Sequence, residues 1–176
     1  MFYFILFMFK KTIAKKKIAI YCDLNDSSGL GHLSRMKHVS QELEKKGSEC
    51  YFLFNEIDKN YILKYVKNLR VILFSNINKI KSVKNILFKD NFSILIIDSY
   101  ENNFYLEKTL VKKGFFVVSI DDHLRDHFSN IVVNNRFKAS NFYNKIPNQV
   151  WLTGSKYILI TGKVNKVKRQ KHKLKK

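Results

Sequence analysis

From Lys17 onward the chain alternates between short apolar runs and longer stretches with helical spacing. Residues 18–22, 50–54, 71–74, 94–98, 115–121 and 131–134 are continuous or near-continuous apolar runs of strand length. Between the first two, Leu33, Met36, Val39 and Leu43 recur on one stripe, the spacing of an amphipathic helix, and Gly47 provides its stop. A second helical stretch runs through Ile62, Tyr65, Val66 and Leu69, a third over 80–88, and a fourth from about 103 to 113. Strands that are apolar on both faces, each followed by a helix-length segment, predict a parallel sheet covered on both sides. The expected fold is a doubly wound, Rossmann-like α/β domain over residues 17–160, with no internal repeat or Gly/Ser-rich linker.

The ends of the chain do not follow this pattern. Residues 1–16 are an apolar run followed by lysines, and residues 161–176 are a basic tail read as disordered. The run Met1–Phe9 is far shorter than the ~20 residues of a spanning helix. Its charges follow the apolar run rather than precede it, unlike a signal peptide. Peripheral membrane contact is the most this segment suggests.

Composition changes the picture in two ways. The net charge of +19 rests largely on the ends: five lysines lie in residues 10–17 and eight basic residues in 163–176, leaving 20 Lys and Arg against 14 acidic residues. A basic tail on an α/β body argues for nucleic-acid binding much less than a basic body would, so nucleic acid is disfavoured as a partner. The two cysteines, Cys22 and Cys50, fall in predicted strands and outside any metal-ligand spacing. They read as buried thiols of a reducing, cytoplasmic compartment. No metal and no cofactor is expected.

The candidate chemistry begins at the end of the first strand. Asp23-Leu-Asn-Asp-Ser-Ser-Gly-Leu-Gly-His32-Leu-Ser-Arg35 follows that strand and opens the first helix. Gly29 and Gly31 allow a sharp turn, and Ser27 and Ser28 suit helix entry. His32 and Arg35 are thereby placed at a helix N-terminus, where an anion is favoured and an imidazole tends to stay neutral, as a general base must be. A Gly-x-Gly turn alone is weak evidence, since such turns are common after strands.

In a doubly wound sheet, ligands bind beyond the carboxyl ends of the strands. Four predicted strand ends carry polar groups there: Asp23; Asp98-Ser99-Tyr100; Asp121-Asp122-His123 with Arg125 and His127; and Asn134-Asn135-Arg136. For Asp98 and Asp122 a helix-capping role is as natural as a catalytic one. Tyr100 also suits a surface aromatic, and His38 a solvated helix face. His123 and His127 lack a companion metal set.

Taken together, Asp-x-Asn-Asp-x-Ser-Gly-Leu-Gly-His-Leu-x-Arg, Ile-Ile-Asp-Ser-Tyr, Ile-Asp-Asp-x-x-Arg-x-His and Leu-Thr-Gly-Ser-Lys-Tyr-Ile-Leu resemble the UDP-2,4-diacetamido-2,4,6-trideoxy-β-L-altropyranose hydrolases of pseudaminic acid biosynthesis and related spore-coat polysaccharide proteins. The segments run in family order from about Lys17 to Ile160. The resemblance implies the N-terminal domain of a GT-B fold of the MurG type. It implies an activity, water attack at the anomeric carbon of the UDP-sugar with release of UDP, and a catalytic His32 that activates the water. Tyr100 would line the sugar site. Beside this, Gly31 and Arg35 are read as holding an anionic or polar ligand at the helix start, and Asp98 and Asp122 as orienting sugar hydroxyl or amide groups.

Two departures qualify these implications. Asn130 stands where the family has an aspartate, and the Gly-Gly-x-Asp turn of the family's nucleotide-binding C-terminal domain is missing from this sequence. The chain is therefore expected to be a truncated hydrolase, or one half of a split enzyme whose second polypeptide supplies the nucleotide domain. The alternatives are the acceptor-side half of a GT-B glycosyltransferase, and a non-catalytic remnant or binding module. Whether the chain is an enzyme by itself is left open by its sequence.

Overall fold

The computed structural model describes residues 16–24, 30–75, 78–101, 103–136, 139 and 146–157. The entry residues Ser27, Ser28 and Gly29, both chain ends and 158–160 lie outside them. Seven parallel strands form one sheet: β1 (Lys17–Cys22), β2 (Glu49–Asn55), β3 (Val71–Phe74), β4 (Ile94–Asp98), β5 (Phe116–Ile120), β6 (Ile131–Asn134) and β7 (Val150–Thr153). Their order is β3-β2-β1-β4-β5-β6-β7. Four helices connect the first five strands: α1 (Gly31–Glu44), α2 (Lys59–Tyr65), α3 (Lys79–Lys89) and α4 (Phe104–Lys112). This is the doubly wound α/β arrangement that the apolar pattern predicts.

Strand alternation sorts the core into two layers. Ile18, Ile20 and Cys22 of β1 face one side with Phe52 and Phe54 of β2, against Leu33, Met36, Val39 and Leu43 of α1 and Ile62 of α2. Ala19 and Tyr21 face the other side with Leu95 and Ile97, against Val83 and Leu87 of α3 and Leu106 and Leu110 of α4. All five residues of β4 are buried, as are the last five of β1, so the sheet centre is dry on both faces. Cys22 and Cys50 are both buried within the α1 layer, and burial pushes the Cys22 thiol well up and the Cys50 thiol up to about 12.

Two elements differ from expectation. α2 stops at Tyr65, although Val66 and Leu69 continue the apolar spacing. Asn68 adopts a left-handed φ of 65°, and the Leu69 amide closes a turn onto the Val66 carbonyl. β7 is a strand that the pattern does not announce. It is short, only partly buried, and pairs along one edge with β6 in the register Ile131↔Val150 to Asn134↔Thr153. No helix among the described residues is long and apolar enough to cross a membrane.

The order fixes where a ligand can sit. The chain leaves β1 toward β2 and β3, then returns to place β4 on the other flank of β1. The crevice beyond the carboxyl ends of such a pair is the topological switch point. The four strand ends with polar residues, β1, β4, β5 and β6, are consecutive in the sheet, so their loops form one rim.

Candidate active site

β1 and β4 pair with Cys22 opposite Asp98, the last residue of β4. Asp98 is fully buried. A carboxylate removed from water needs compensating partners, and α1 supplies them. His32 and Arg35 are three residues apart, one turn of helix, so both side chains lie over the same strand end. His32 Nδ1 lies 2.7 Å from Asp98 Oδ1. Arg35 grips the same carboxylate with two donors, Nε to Oδ2 at 2.8 Å and Nη2 to Oδ1 at 2.5 Å. Its Nη2 also donates to Asp122 Oδ2 at 2.8 Å, tying the loop after β5 to the cluster. Burial opposes the charge on Arg35, but Asp98 and then Asp122 hold its pKa above the ordinary arginine value.

An ionised carboxylate only accepts, so His32 Nδ1 is the nitrogen that carries the hydrogen. In the neutral ring that leaves the lone pair on Nε2. This is the arrangement in which a buried aspartate fixes tautomer and ring orientation of a base. Asp98 bears on the crevice through His32 and Arg35, and it does not cap a helix. Arg35 commits Nε and Nη2 to carboxylates.

Tyr100 is half-exposed and stands edge-on to His32, ring centroids 4.2 Å apart. On its other side it meets His123 edge-on at 5.0 Å. Its backbone is held from two directions. The Tyr100 amide donates to Asp23 Oδ2 at 2.5 Å. Arg125 donates to the Ser99 carbonyl at 2.8 Å and to the Tyr100 carbonyl. Below this loop, Glu101 accepts from Lys79, whose ammonium also lies 4.3 Å from the centroid of the Tyr21 ring. Burial lowers the Lys79 pKa against the opposing pull of Glu101.

The loop after β5 is shaped by a second buried acid. Asp121 accepts from the amides of His123 at 2.8 Å and Arg125 at 3.1 Å. Leu124 between them takes a left-handed φ of 58°, an uncommon conformation for a residue with a Cβ. Behind the loop, fully buried Glu107 of α4 accepts from Ser119 Oγ at 2.7 Å and the Phe128 amide at 2.6 Å, and lies 2.9 Å from His127 Nδ1. His127 Nε2 is 3.7 Å from Asp121 Oδ2. Burial works against a charged His127, but Asp121 and Glu107 together raise its pKa to about 9. His127 is thus a structural cation between two buried acids.

The structure brings His32, Arg35, Asp98, Tyr100 and Asp122 into one cluster. Gly31 opens α1 next to His32, and open space surrounds the position a Cβ would occupy. Gly31 has no left-handed φ, and Leu30 at the helix entry makes no side-chain cap. A cleft of about 10 Å³, room for about one water molecule, lies beside the cluster between Arg35, Asp122, Asn135 and Tyr157. Asn130 belongs to the far end of β6: its Oδ1 accepts from the Val117 amide at 2.8 Å. The departure at this position thus falls on strand pairing, away from the rim. Sequence reasoning did not single out the roles of Asp23, Arg125 and Glu107. Among the described residues no group of His, Cys, Asp and Glu is placed to hold a metal ion.

No family model matches the chain. It is 28% identical over 162 residues to the uncharacterised protein MJ1062 of the archaeon Methanocaldococcus jannaschii, a match covering 88% of this chain. The match spans only 33% of the archaeal protein's length.

Proposed function

We propose that this chain is the sugar-side domain of a nucleotide-sugar hydrolase, with His32 as general base. The observation that carries the reading is the 2.7 Å contact of His32 with buried Asp98 at the switch point of the sheet. His32 Nε2 takes a proton from water as the water oxygen bonds to the anomeric carbon. The bond from that carbon to the diphosphate oxygen breaks, and UDP departs with the electron pair. The positioned base contributes on the order of 10²–10⁴ in rate. Tyr100, edge-on to His32 and half-exposed, is the side chain best placed to meet the sugar. The sequence resemblance selects UDP-2,4-diacetamido-2,4,6-trideoxy-β-L-altrose as substrate, and a nucleotide-binding domain of the family's kind would stabilise the leaving group.

The same base suits removal of a proton from an acceptor hydroxyl, as the acceptor half of a glycosyltransferase requires. Incubation of the chain with the UDP-sugar and a nucleotide-binding partner domain separates the readings. Release of UDP and free sugar with water as the only acceptor supports the hydrolase. UDP release that requires an added sugar acceptor supports the transferase, and release that persists in His32→Ala overturns the role of His32.

A further inference from the structure

In a parallel α/β sheet the strand starts and the helix C-termini share the edge opposite the site. Here that edge is basic. Lys16 and Lys17 enter β1, Lys89 ends α3, and Lys112 and Lys113 end α4, all exposed. Lys17 Nζ reaches the Asp90 carbonyl at 3.5 Å, which joins the start of β1 to the end of α3. Phe88 stands among them, 52% exposed, braced edge-on by Phe115 at 4.9 Å. Two other acids near this edge are already engaged, Glu42 by Lys45 and Glu44 by Arg70. Asp90 and Glu49 offset part of the remaining charge. Basic residues at helix C-termini complement the helix dipole, but that does not account for Lys16, Lys17 or an exposed phenylalanine.

We propose that this edge docks on an anionic lipid surface. The sequence running into it selects lipid over another polyanion. Met1–Phe9 is entirely apolar, and Lys10, Lys11 and Lys15 continue the charge into Lys16 and Lys17. An apolar segment followed in sequence by a basic one is the two-signal combination that holds proteins at bilayers, where one signal alone gives only marginal binding. β1 spans six residues, about 20 Å at strand rise, so docking by this edge leaves the His32 crevice open to solvent.

The test is co-sedimentation of the full chain with phosphatidylcholine vesicles, with and without phosphatidylglycerol. Binding is expected only to the doped vesicles, and is expected to weaken as salt rises and the Debye length shrinks. Replacing Lys89, Lys112 and Lys113 by Gln is expected to weaken binding about fivefold per lysine. Lys59→Gln, an exposed lysine at the start of α2 on the other edge, should change nothing. Equal binding to undoped vesicles overturns the proposal, as does an equal loss in Lys59→Gln. Retention of an RNA homopolymer with no vesicle binding assigns the edge to nucleic acid and overturns it too.

Discussion

Arg125 holds the backbone of Tyr100 in place across two loops. Its guanidinium donates to the carbonyls of Ser99 and Tyr100, while Asp121 fixes its own amide. The ring that meets His32 is therefore set from the strand next door. Arg125→Ala is expected to leave the sheet folded and lower turnover about tenfold or more, because small misplacements of site groups are costly. Arg125→Lys should recover part of the loss, since an ammonium reaches one carbonyl but not both. Steady-state rates with matched circular dichroism spectra check this. Unchanged turnover in Arg125→Ala would show that Tyr100 keeps its place without the clamp.

His32→Ala removes the ring but leaves Asp98 its two bonds from Arg35. The fold should persist, and UDP release should fall by on the order of 10²–10⁴. Measurement of UDP release by the variant beside its unfolding curve separates a lost base from a lost fold.

Asp98 and Asp122 share Arg35 but differ in depth. Asp98 is fully buried, and Asp122 is 34% exposed. Removing one partner of a buried pair strands the other charge, at a cost of about 3–5 kcal/mol. Asp98→Ala should destabilise the chain by that order. Asp122→Ala should cost about 1 kcal/mol or less, since water reaches that contact. Urea unfolding midpoints read the contrast, and equal costs would contradict the burial difference.

His127 makes stability depend on pH in the alkaline range. Its folded pKa of about 9 lies above the ordinary 6.5, so the folded state favours the protonated ring. The contribution is complete below about pH 6.5 and is lost as pH rises through 9, with a magnitude on the order of 3 kcal/mol. His127→Gln should flatten the difference in unfolding free energy between pH 6.5 and 9.5. A slope that survives the substitution would place the titrating group elsewhere.

Gly31→Ala probes the helix start. Gly31 opens α1 with open space around it, so alanine should raise stability by about 0.4–1 kcal/mol. If turnover falls in a variant that is no less stable, the glycine serves close approach of a ligand to the backbone.

The strands were legible because buried parallel strands read as apolar runs, and the helices because α1, α3 and α4 keep one stripe against the sheet. β7 escaped because its apolar run, Val150 to Leu152, is only three residues long, and on this edge strand only Leu152 is buried. α2 read too long because Val66 and Leu69 pack on the core from a turn that only the backbone of Asn68 reveals. In the site, His32 and Asp98 were marked by their places after β1 and at the end of β4. Glu107 carried no such mark: an acid on a helix reads as solvated until the fold buries it beneath Ser119 and His127. Arg125 was visible only as part of a motif, because its partners are carbonyl groups that every residue has.

Cys22 and Cys50 sit on neighbouring strands, one at the carboxyl end of β1 and the other near the start of β2. Both thiols are shut away and shifted upward, so a maleimide can modify them only while the protein is open. Alkylation rates would then report two opening events separately. Labelling at Cys50 follows any excursion that lifts the later half of α1, where its thiol meets the Ser40 carbonyl, whereas labelling at Cys22 requires the α1 layer to open at the carboxyl end of β1. Because α1 carries His32 and Arg35, and Cys22 pairs with Asp98, the labelling rate at Cys22 also reports how often that cluster comes apart.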